Sequence, residues 1–318
     1  MGLFDSQPLE PSTRVVLKVD VDTKVGFTEG VPRLLDILQK RRVKASFFVA
    51  MGPDHSGRAL RRLLKPGFLK KQLRSRAASA FGPLTMLYGL LLPGPIITAA
   101  NPRLFDRMLA AGHEVGPHGW DHVFWHDRLA VMGRRRLEEE LGQAWRLYRH
   151  LTGMDPAAFA APGWQMTPQA WLTLARMGAT HTSCTRGEFP YRPRVGTLAA
   201  PLLEIPTTLP TMDELLGWGG VWPENVAAKL AGMIRADRLN VFTLHAEVEG
   251  RALAPAFEQF LQRLKEQGVR FLRLVDAAGE TLAAQAPPAQ EVVYAPVAGR
   301  AGEVAWQASA LGPVGEGS

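Results

Sequence analysis

The sequence predicts an α/β fold, a distorted (β/α) barrel of about seven to eight parallel strands. Short apolar runs alternate with amphipathic segments along most of the chain. Prolines stand where the amphipathic segments would begin as helices, and glycines stand where those helices would end. About eight repeats of strand and helix favour a barrel over an open sheet, and both architectures place an active site at the carboxyl ends of the strands.

The individual elements follow from this alternation. The predicted strands are Arg14–Asp20, Lys44–Ala50, His113–Pro117, Ala157–Ala161, Ala179–Cys184, Leu202–Pro206, Asn240–His245 and Val269–Leu274. The predicted helices are Val31–Arg42, Gly133–Leu151, Pro168–Met177, Pro223–Arg238 and Pro255–Gln267. Pro168 and Pro255 suit a first helical turn, because proline presets φ there, and Gly178 and Gly268 suit the residue after a helix.

The barrel is predicted to span residues 14–282, after an N-terminal tail of residues 1–13. Residues 283–318 are rich in Ala, Pro, Gly and Gln without a period, so they are predicted to form a flexible tail. Cys184 is the single cysteine, which excludes an internal disulfide framework and fits a reducing compartment. The N-terminus has no basic stretch followed by an apolar core, so no export signal is expected.

Residues 58–102 are predicted to be an insertion that docks on a membrane. Eight lysines and arginines lie between Arg58 and Arg76, and Ala77–Pro102 contains no charged residue. Prolines and glycines break this apolar part, and barrel strands are predicted on both sides of it, so it is not expected to cross the membrane. It would lie in one leaflet, with the basic run against lipid headgroups. The alternative is a helical hairpin packed on the barrel; nucleic-acid binding is not expected, because the basic run lacks interleaved aromatic residues.

The residues with catalytic chemistry all follow predicted strands. Asp20 and Asp22 end the first strand, His118 and His122 follow a later one, and His245 ends another. Each pattern alone has an ordinary interpretation, such as an aspartate that caps a turn or a histidine packed in the core. In a barrel, however, the carboxyl ends of the strands share one rim. The five side chains are therefore predicted to form one site.

A divalent metal ion is the expected cofactor of this site. Histidines four residues apart can both reach one ion if the chain turns helically after the strand. Two histidines and one carboxylate leave coordination positions for water and substrate, which is the pattern of a catalytic site. Zinc suits such a ligand set best, and cobalt, manganese or nickel are alternatives.

These motifs resemble those of the NodB-like polysaccharide deacetylases. The family's paired aspartates match Asp20 and Asp22, and the resemblance implies that Asp20 is the catalytic base and that Asp22 binds the metal with His118 and His122. A Leu-His pair matches Leu244 and His245, which makes His245 the general acid.

The family's third motif departs from the pattern in this chain. It is usually Arg-x-Pro followed by an aromatic residue, and the segment from Ala160 to Trp164 has alanine at the arginine position. Because that arginine orients the catalytic aspartate in the family, another cation is expected here, and Arg186 is the candidate.

Further segments resemble one subfamily, the deformylases of undecaprenyl-phosphate 4-deoxy-4-formamido-L-arabinose, which act in lipid A modification and polymyxin resistance. The more specific matches are the block that contains Arg58 and the segment from His245 to Gly250. The resemblance implies an amide hydrolase that is peripheral to the cytoplasmic face of the inner membrane. The candidate substrate-binding residues are Arg58, Trp164, Arg186 and Glu247.

Two of these residues have other interpretations, because Trp164 could pack in the core and Glu247 could stabilise its own loop. Alternative functions are deacetylation of another N-acyl sugar or glycolipid and non-catalytic binding of lipid or carbohydrate.

Overall fold

The computed structural model describes residues 13–58, 85–298, 300 and 302–311. The predicted N-terminal tail, apart from Thr13, lies outside these ranges. The same holds for residues 59–84, which contain most of the basic run of the predicted insertion, and for the last seven residues of the predicted C-terminal tail.

The described residues form an α/β fold. Its strands are β1 Arg14–Val21, β2 Ser46–Val49, β3 Glu114–Pro117, β4 Ala158–Phe159, β5 His181–Thr182, β6 Arg192–Val195, β7 Leu198–Ala199, β8 Leu203–Glu204, β9 Leu239–His245, β10 Arg270–Leu272, β11 Ala289–Gln290, β12 Val292–Pro296 and β13 Glu303–Gln307. Its helices are α1 Val31–Arg41, α2 Arg103–Ala110, α3 His122–Arg128, α4 Arg134–Thr152, α5 Pro168–Arg176, α6 Met212–Leu215, α7 Val226–Ala231, α8 Ala254–Glu266 and α9 Leu274–Ala284.

Two parallel sheets position the site. In the first, β1 pairs with β9 from Arg14 to Asp20, and it also pairs with β10 near its start and with β2 near its end. Strand β2 then pairs with β3. The second sheet has the order β4-β5-β8. Hydrogen bonds from Ala160 N to Pro117 O and from Thr208 N to Val241 O link the two sheets at both sides. The predicted α/β class with parallel strands is confirmed.

The core has two parts, on opposite faces of β1. Val15, Leu17, Val19 and Val21 belong to a large cluster that also contains the buried faces of the helices. Val16 belongs to a smaller cluster, here called the inter-sheet cluster, with members from both sheets and from α9. Its other members include Phe48, Ala158, Ala160, Leu203, Ile205 and Val241. Because side chains alternate along a strand, Lys18 and Asp20 point to the same side as Val16.

The prediction of a flexible tail over residues 283–318 is wrong for Ala289–Gln290, Val292–Pro296 and Glu303–Gln307, which form strands. Strands β12 and β13 form an antiparallel hairpin, and β11 pairs with β6. The hairpin is held against the barrel-like body by the backbone of Arg186, which donates to Ala305 O and accepts from Gln307 N, both at 2.8 Å. Ala305 and Gln307 are fully buried. These contacts with the protein body order a segment whose composition alone favours disorder.

The described part of the predicted insertion packs beside the end of β2. Ile96 forms a bridge with Pro53, and Asp54 N donates to Pro95 O at 2.9 Å. Leu91 is 79% exposed, and four neighbouring apolar side chains are also exposed, namely Leu87, Leu90, Leu92 and Ile96. Within the described ranges no helix is both long and apolar enough to cross a membrane.

Candidate metal centre and active site

Asp22, His118 and His122 meet at the carboxyl ends of β1 and β3. One ligand atom from each lies within 4.8 Å of the others. His118 Nε2 is 3.2 Å from Asp22 Oδ1, and His122 Nε2 is 3.3 Å from Asp22 Oδ2. In the described part of the chain this is the only such group of three or more His, Cys, Asp or Glu side chains.

Local structure fixes the two imidazoles. His118 follows β3, and its Nδ1 donates to the carbonyl oxygen of Ala160 at 2.9 Å, which leaves the Nε2 lone pair directed at Asp22. His122 is the first residue of α3, because Asp121 caps this helix by accepting from Phe124 N at 3.0 Å. Residues 119–121 between the strand and this helix are not helical, with a φ of 78° at Gly119, so an irregular turn, and not the helical turn that was expected, brings His122 beside His118.

The electrostatics of the three residues suit a cation. Burial alone would raise the pKa of Asp22, but the adjacent imidazoles of His122 and His118 outweigh it and hold that pKa well below its usual value. Asp22 Oδ1 is buried and has no hydrogen-bond partner in the described ranges. Because two neutral imidazoles and a carboxylate are the ligands that zinc and related divalent ions prefer, the residues fit a metal ion.

Asp20 lies beside this group with one oxygen engaged and one free. Its Oδ2 accepts from Lys18 Nζ at 2.8 Å and is 4.0 Å from His118 Nε2. Its Oδ1 is buried without a hydrogen-bond partner among the described residues. Only 3% of Asp20 is exposed. A carboxylate oriented through one oxygen can accept a proton at the other.

His245 stands next to Asp20 on the neighbouring strand. The two residues are direct partners in the register of β1 and β9. The His245 imidazole is held between Asp213, whose Oδ1 is 3.9 Å from Nδ1, and the edge of the Trp164 ring, with ring centroids 6.3 Å apart. Its backbone N donates to Glu249 Oε2 at 2.7 Å. The imidazole of His245, a group that can donate a proton, therefore lies on the same edge of the sheet as Asp20.

The turns that follow β1 and β9 touch through glycine. A Cβ atom built on Gly30 would lie 2.0 Å from Ala246 O, and one built on Gly250 would lie 2.6 Å from the Cα of Gly30. Both distances are far below van der Waals contact, so any side chain at either position would force the turns apart. The backbones of the segments that carry Asp20 and His245 are therefore in direct contact.

The predicted role of Arg186 as the cation beside Asp20 is wrong. No hydrogen bond or ion pair joins the two residues in the described part of the chain. The Arg186 guanidinium instead donates to Leu209 O at 2.8 Å, forms an ion pair with Glu214 and lies 4.3 Å from the centre of the Trp164 ring. Arg186 follows β5, and its backbone is bonded to Ala305 and Gln307 of the C-terminal hairpin.

The remaining predicted substrate-binding residues lie at different depths. Trp164 and Glu247 are each 1% exposed, and Trp164 Nε1 donates to Thr207 Oγ1 at 3.1 Å. Burial, and then the charge of Asp22, raises the pKa of Glu247 well above its usual value. Arg58 is exposed, and its Nε donates to Gly89 O at 3.0 Å. Their contact with substrate stays a prediction.

Three residues of the site were not among the sequence candidates: Lys18, Asp213 and Arg300. Arg300 lies on the turn of the C-terminal hairpin, 4.4 Å from the centre of the Trp164 ring, and pairs with Glu214 at 3.2 Å. The sequence held a signal for Lys18, because a lysine two residues before an aspartate on a strand shares its face. Asp213 and Arg300 do not follow a predicted strand, so the convergence of strand ends at one rim gave no reason to include them.

Comparison with known proteins gives the family. Residues 10–182, more than half of the chain, match the model of the family described as polysaccharide deacetylase. The chain therefore belongs to this family.

Within the family, the chain is similar to proteins named as deformylases. A protein from Shewanella sediminis (strain HAW-EB3) named probable 4-deoxy-4-formamido-L-arabinose-phosphoundecaprenol deformylase is 38% identical over 94% of this chain and 96% of its own length. A protein of the same name from Wigglesworthia glossinidia brevipalpis is 28% identical over 89% of this chain and 98% of its own length.

Solved structures share the fold at low sequence identity. A protein from Mycobacterium smegmatis, assigned as a polysaccharide deacetylase, superposes with a TM-score of 0.61 at 20% identity, over 89% of this chain and 93% of its own. The allantoinase Puue has a TM-score of 0.58 at 19% identity, over 89% and 96% of the two chains. Because one fold serves an allantoinase as well as a deacetylase, the fold alone does not define the reaction.

Proposed function

We propose that this chain is a metal-dependent deformylase. Its substrate would be undecaprenyl-phosphate 4-deoxy-4-formamido-L-arabinose, and its reaction would be the hydrolysis of the N-formyl group in the aminoarabinose modification of lipid A, which gives polymyxin resistance. The observation that carries the proposal is the meeting of Asp20, Asp22, His118, His122 and His245 at one edge of the sheet. Similarity over nearly the whole length to proteins of that name supports the substrate.

The chemistry divides between a metal ion and two side chains. A divalent ion held by Asp22, His118 and His122 would supply the Lewis acidity that makes water nucleophilic and stabilises negative charge on the formyl oxygen. Asp20, held through Oδ2, takes the proton of the attacking water at Oδ1. His245 then donates a proton to the amide nitrogen as the C–N bond breaks, so that the products are formate and the free amino sugar.

Zinc is the ion that we propose for this site, because tetrahedral coordination by imidazole and carboxylate is its usual arrangement in hydrolases. Cobalt, manganese or nickel could use the same ligands. Metal analysis of the purified protein, followed by activity after chelation and reloading with each ion, would test the choice.

A cavity of about 540 Å³ supports a substrate-binding role for Arg186. It is lined by Arg186, Thr207 and Glu214, and otherwise mostly by apolar side chains such as Leu209 and Trp218. Thr207, which lines the cavity, accepts from Trp164 Nε1, and the Trp164 ring contacts the His245 imidazole. The Trp164 ring therefore lies between the cavity and His245. Arg58, which is exposed, and Trp164 and Glu247, which are buried, are the other proposed substrate-binding residues.

The membrane surface is the proposed location. An undecaprenyl chain cannot leave the bilayer, so the site must reach the headgroup region. The exposed apolar side chains around Leu91 lie beside the end of β2, at the same edge as the site, and would enter the lipid. The basic run in residues 58–76 would add attraction to anionic lipid headgroups. The proposed location is therefore peripheral, on the cytoplasmic face of the inner membrane.

The decisive experiment is mass spectrometry of the undecaprenyl-linked formamido sugar before and after incubation with the metal-loaded enzyme. Loss of one formyl group, absent with Asp20→Asn, would support the proposal. The N-acetyl analogue, assayed in parallel, separates the alternatives: cleavage of the acetyl sugar alone would make the protein a deacetylase of another substrate. No cleavage of either sugar by the loaded enzyme would favour a binding module.

A further inference from the structure

We infer that Lys18 is the positioning residue that holds the catalytic base Asp20, in place of the arginine that Ala160 replaces. This inference rests on the proposed function, because its activity test measures cleavage of the formyl sugar. Its carrying observation is the buried ion pair between Lys18 Nζ and Asp20 Oδ2, at 2.8 Å.

Lys18 is buried inside the fold, where a charged side chain needs an ion-pair partner. The side chain is fully buried in the middle of β1, between Val16 and Asp20 on the face of the strand that looks toward the second sheet. Val16 packs there in the inter-sheet cluster with Ala160. A buried lysine is costly unless it is paired, and Asp20 is its ion-pair partner within the described ranges.

The surroundings of Lys18 restrict it to one direction. Its ammonium group lies 5.1 Å from the centre of the Trp164 ring, so an aromatic face and a carboxylate together define its position. Trp164 belongs to the same motif as Ala160, four residues later. The cation of this chain thus stands on the first strand, whereas the family pattern has it in the third motif. It still lies in the space between the two sheets. The small side chain of Ala160 is compatible with that arrangement.

The consequence for Asp20 is an asymmetric carboxylate. Lys18 engages Oδ2, and Oδ1 is left without a partner among the described residues. Oδ2 is also the oxygen that lies 4.0 Å from the metal-ligating nitrogen of His118. Without Lys18, this oxygen would be free to turn toward a bound cation. Lys18 therefore keeps Asp20 a base and prevents it from becoming an additional metal ligand.

The test compares three variants of the metal-loaded full chain. Lys18→Met keeps the length of the side chain and removes the charge, and we expect kcat to fall about 100-fold or more, with KM within about threefold and metal content unchanged. Lys18→Arg keeps the cation on β1. The double variant Lys18→Met/Ala160→Arg moves it to the third motif, and we expect at least one of these two to regain about tenfold or more of the lost kcat.

A second readout is independent of turnover. In the cobalt-loaded protein the visible absorption reports the number and geometry of ligands. We expect the spectrum of Lys18→Met to change as Asp20 joins the ion, and that of Lys18→Arg to match the unmodified protein. Ser46→Ala is the matched control, because Ser46 is the buried register partner of Lys18 on β2, and its kcat and spectrum should be unchanged.

The possible outcomes distinguish a failure of this inference from a failure of the proposed function. A Lys18→Met protein with kcat within about threefold of the original would overturn the inference, as would a loss that neither arginine variant recovers. If Lys18→Met does not fold, Lys18→Gln takes its place in both measurements. If the unmodified metal-loaded protein cleaves no formyl sugar, the proposed function fails and the cobalt spectra alone decide: an unchanged spectrum in Lys18→Met then overturns the role of Lys18.

Discussion

At the scale of single residues, we propose different roles for two aspartates that are separated by one valine. Asp22 faces the two imidazoles, whereas Asp20 faces Lys18. We expect Asp22→Asn to lose bound metal and activity together. Asp20→Asn should retain the metal and lose about 10²–10⁴-fold in kcat, which is the usual contribution of general base catalysis. Metal analysis by mass spectrometry beside a deformylation assay checks both, and metal loss in Asp20→Asn would reverse the assignment.

The raised pKa of Glu249 predicts that the stability of the protein depends on pH. Burial, and then the charge of Asp213, raises its pKa to about 8 from the ordinary value of 4.5. The folded protein therefore keeps a proton that the unfolded chain releases, and folding loses stability as pH rises from about 4.5 to about 8. Glu249→Gln should remove that loss, stabilising the protein by on the order of 2 kcal/mol at pH 6 and 4 kcal/mol at pH 8.

Urea unfolding of the metal-loaded protein at these two pH values measures the effect of Glu249→Gln. The size of the stabilisation must increase with pH. An equal stabilisation at both values would mean that the carboxyl group is ionised in the folded protein, contrary to the raised pKa.

The sequence predicted the members of the metal centre because all of them follow strands, and strand ends converge by a general rule of the fold. It did not predict the partner of Asp20. Arg186 was a candidate only because it also follows a strand, but its side chain turns away to Glu214. The direction of a side chain after a strand depends on tertiary contacts, and the face of a residue within a strand does not. For that reason Lys18 was the predictable partner.

At the scale of elements, the regular strands were predictable and the C-terminal hairpin was not. All eight predicted strands overlap observed ones, namely β1–β5 and β8–β10, because short apolar runs between helical segments are typical of buried parallel strands. The predicted helix Pro223–Arg238 is shorter, since α7 covers only Val226–Ala231. The apolar runs of β12 and β13 are short and lie in a segment rich in Ala, Pro, Gly and Gln. These strands are held by contacts with residues that are more than a hundred positions away, such as that between Gln307 and Glu188.

Gln307 tests whether the hairpin belongs to the folded body. Its buried Oε1 accepts from Glu188 N at 2.8 Å. Gln307→Ala would leave this donor without its partner, and we expect the free energy of unfolding to fall by about 1–3 kcal/mol. Gln285→Ala, at an exposed position after α9, is the control and should stay within about 0.5 kcal/mol. Equal urea midpoints for the two variants would show that the hairpin contributes nothing to stability.

At the scale of the whole molecule, the site and the exposed apolar side chains share one edge. We expect Leu91→Asp to weaken binding to liposomes of anionic phospholipid by about tenfold, since a buried leucine contributes roughly 1.5–3 kcal/mol and an aspartate adds repulsion. Met154→Asp is the control: Met154 is exposed between α4 and β4, at the amino ends of the strands, away from the site.

Co-sedimentation with liposomes and the rate on a short, water-soluble substrate analogue together test this orientation. Leu91→Asp should lower sedimentation and leave the rate on the soluble analogue unchanged. If Met154→Asp reduces sedimentation as much as Leu91→Asp, the membrane-facing edge has been assigned to the wrong end of the molecule.

The contact between Gly30 and Gly250 has a consequence for how this catalyst can vary. The proposed acid and base stand on neighbouring strands, and the turns that follow these strands can touch because Gly30 and Gly250 have no Cβ atom. An enzyme loses about 10²-fold in rate when a reacting group is displaced by roughly 1 Å. The spacing of the proposed acid and base therefore tolerates no side chain at Gly30 or Gly250, whereas the cation that supports the base can stand on another element, as we propose for Lys18 on β1. The distance between the proposed proton donor and acceptor thus depends on two glycines that take no part in the reaction.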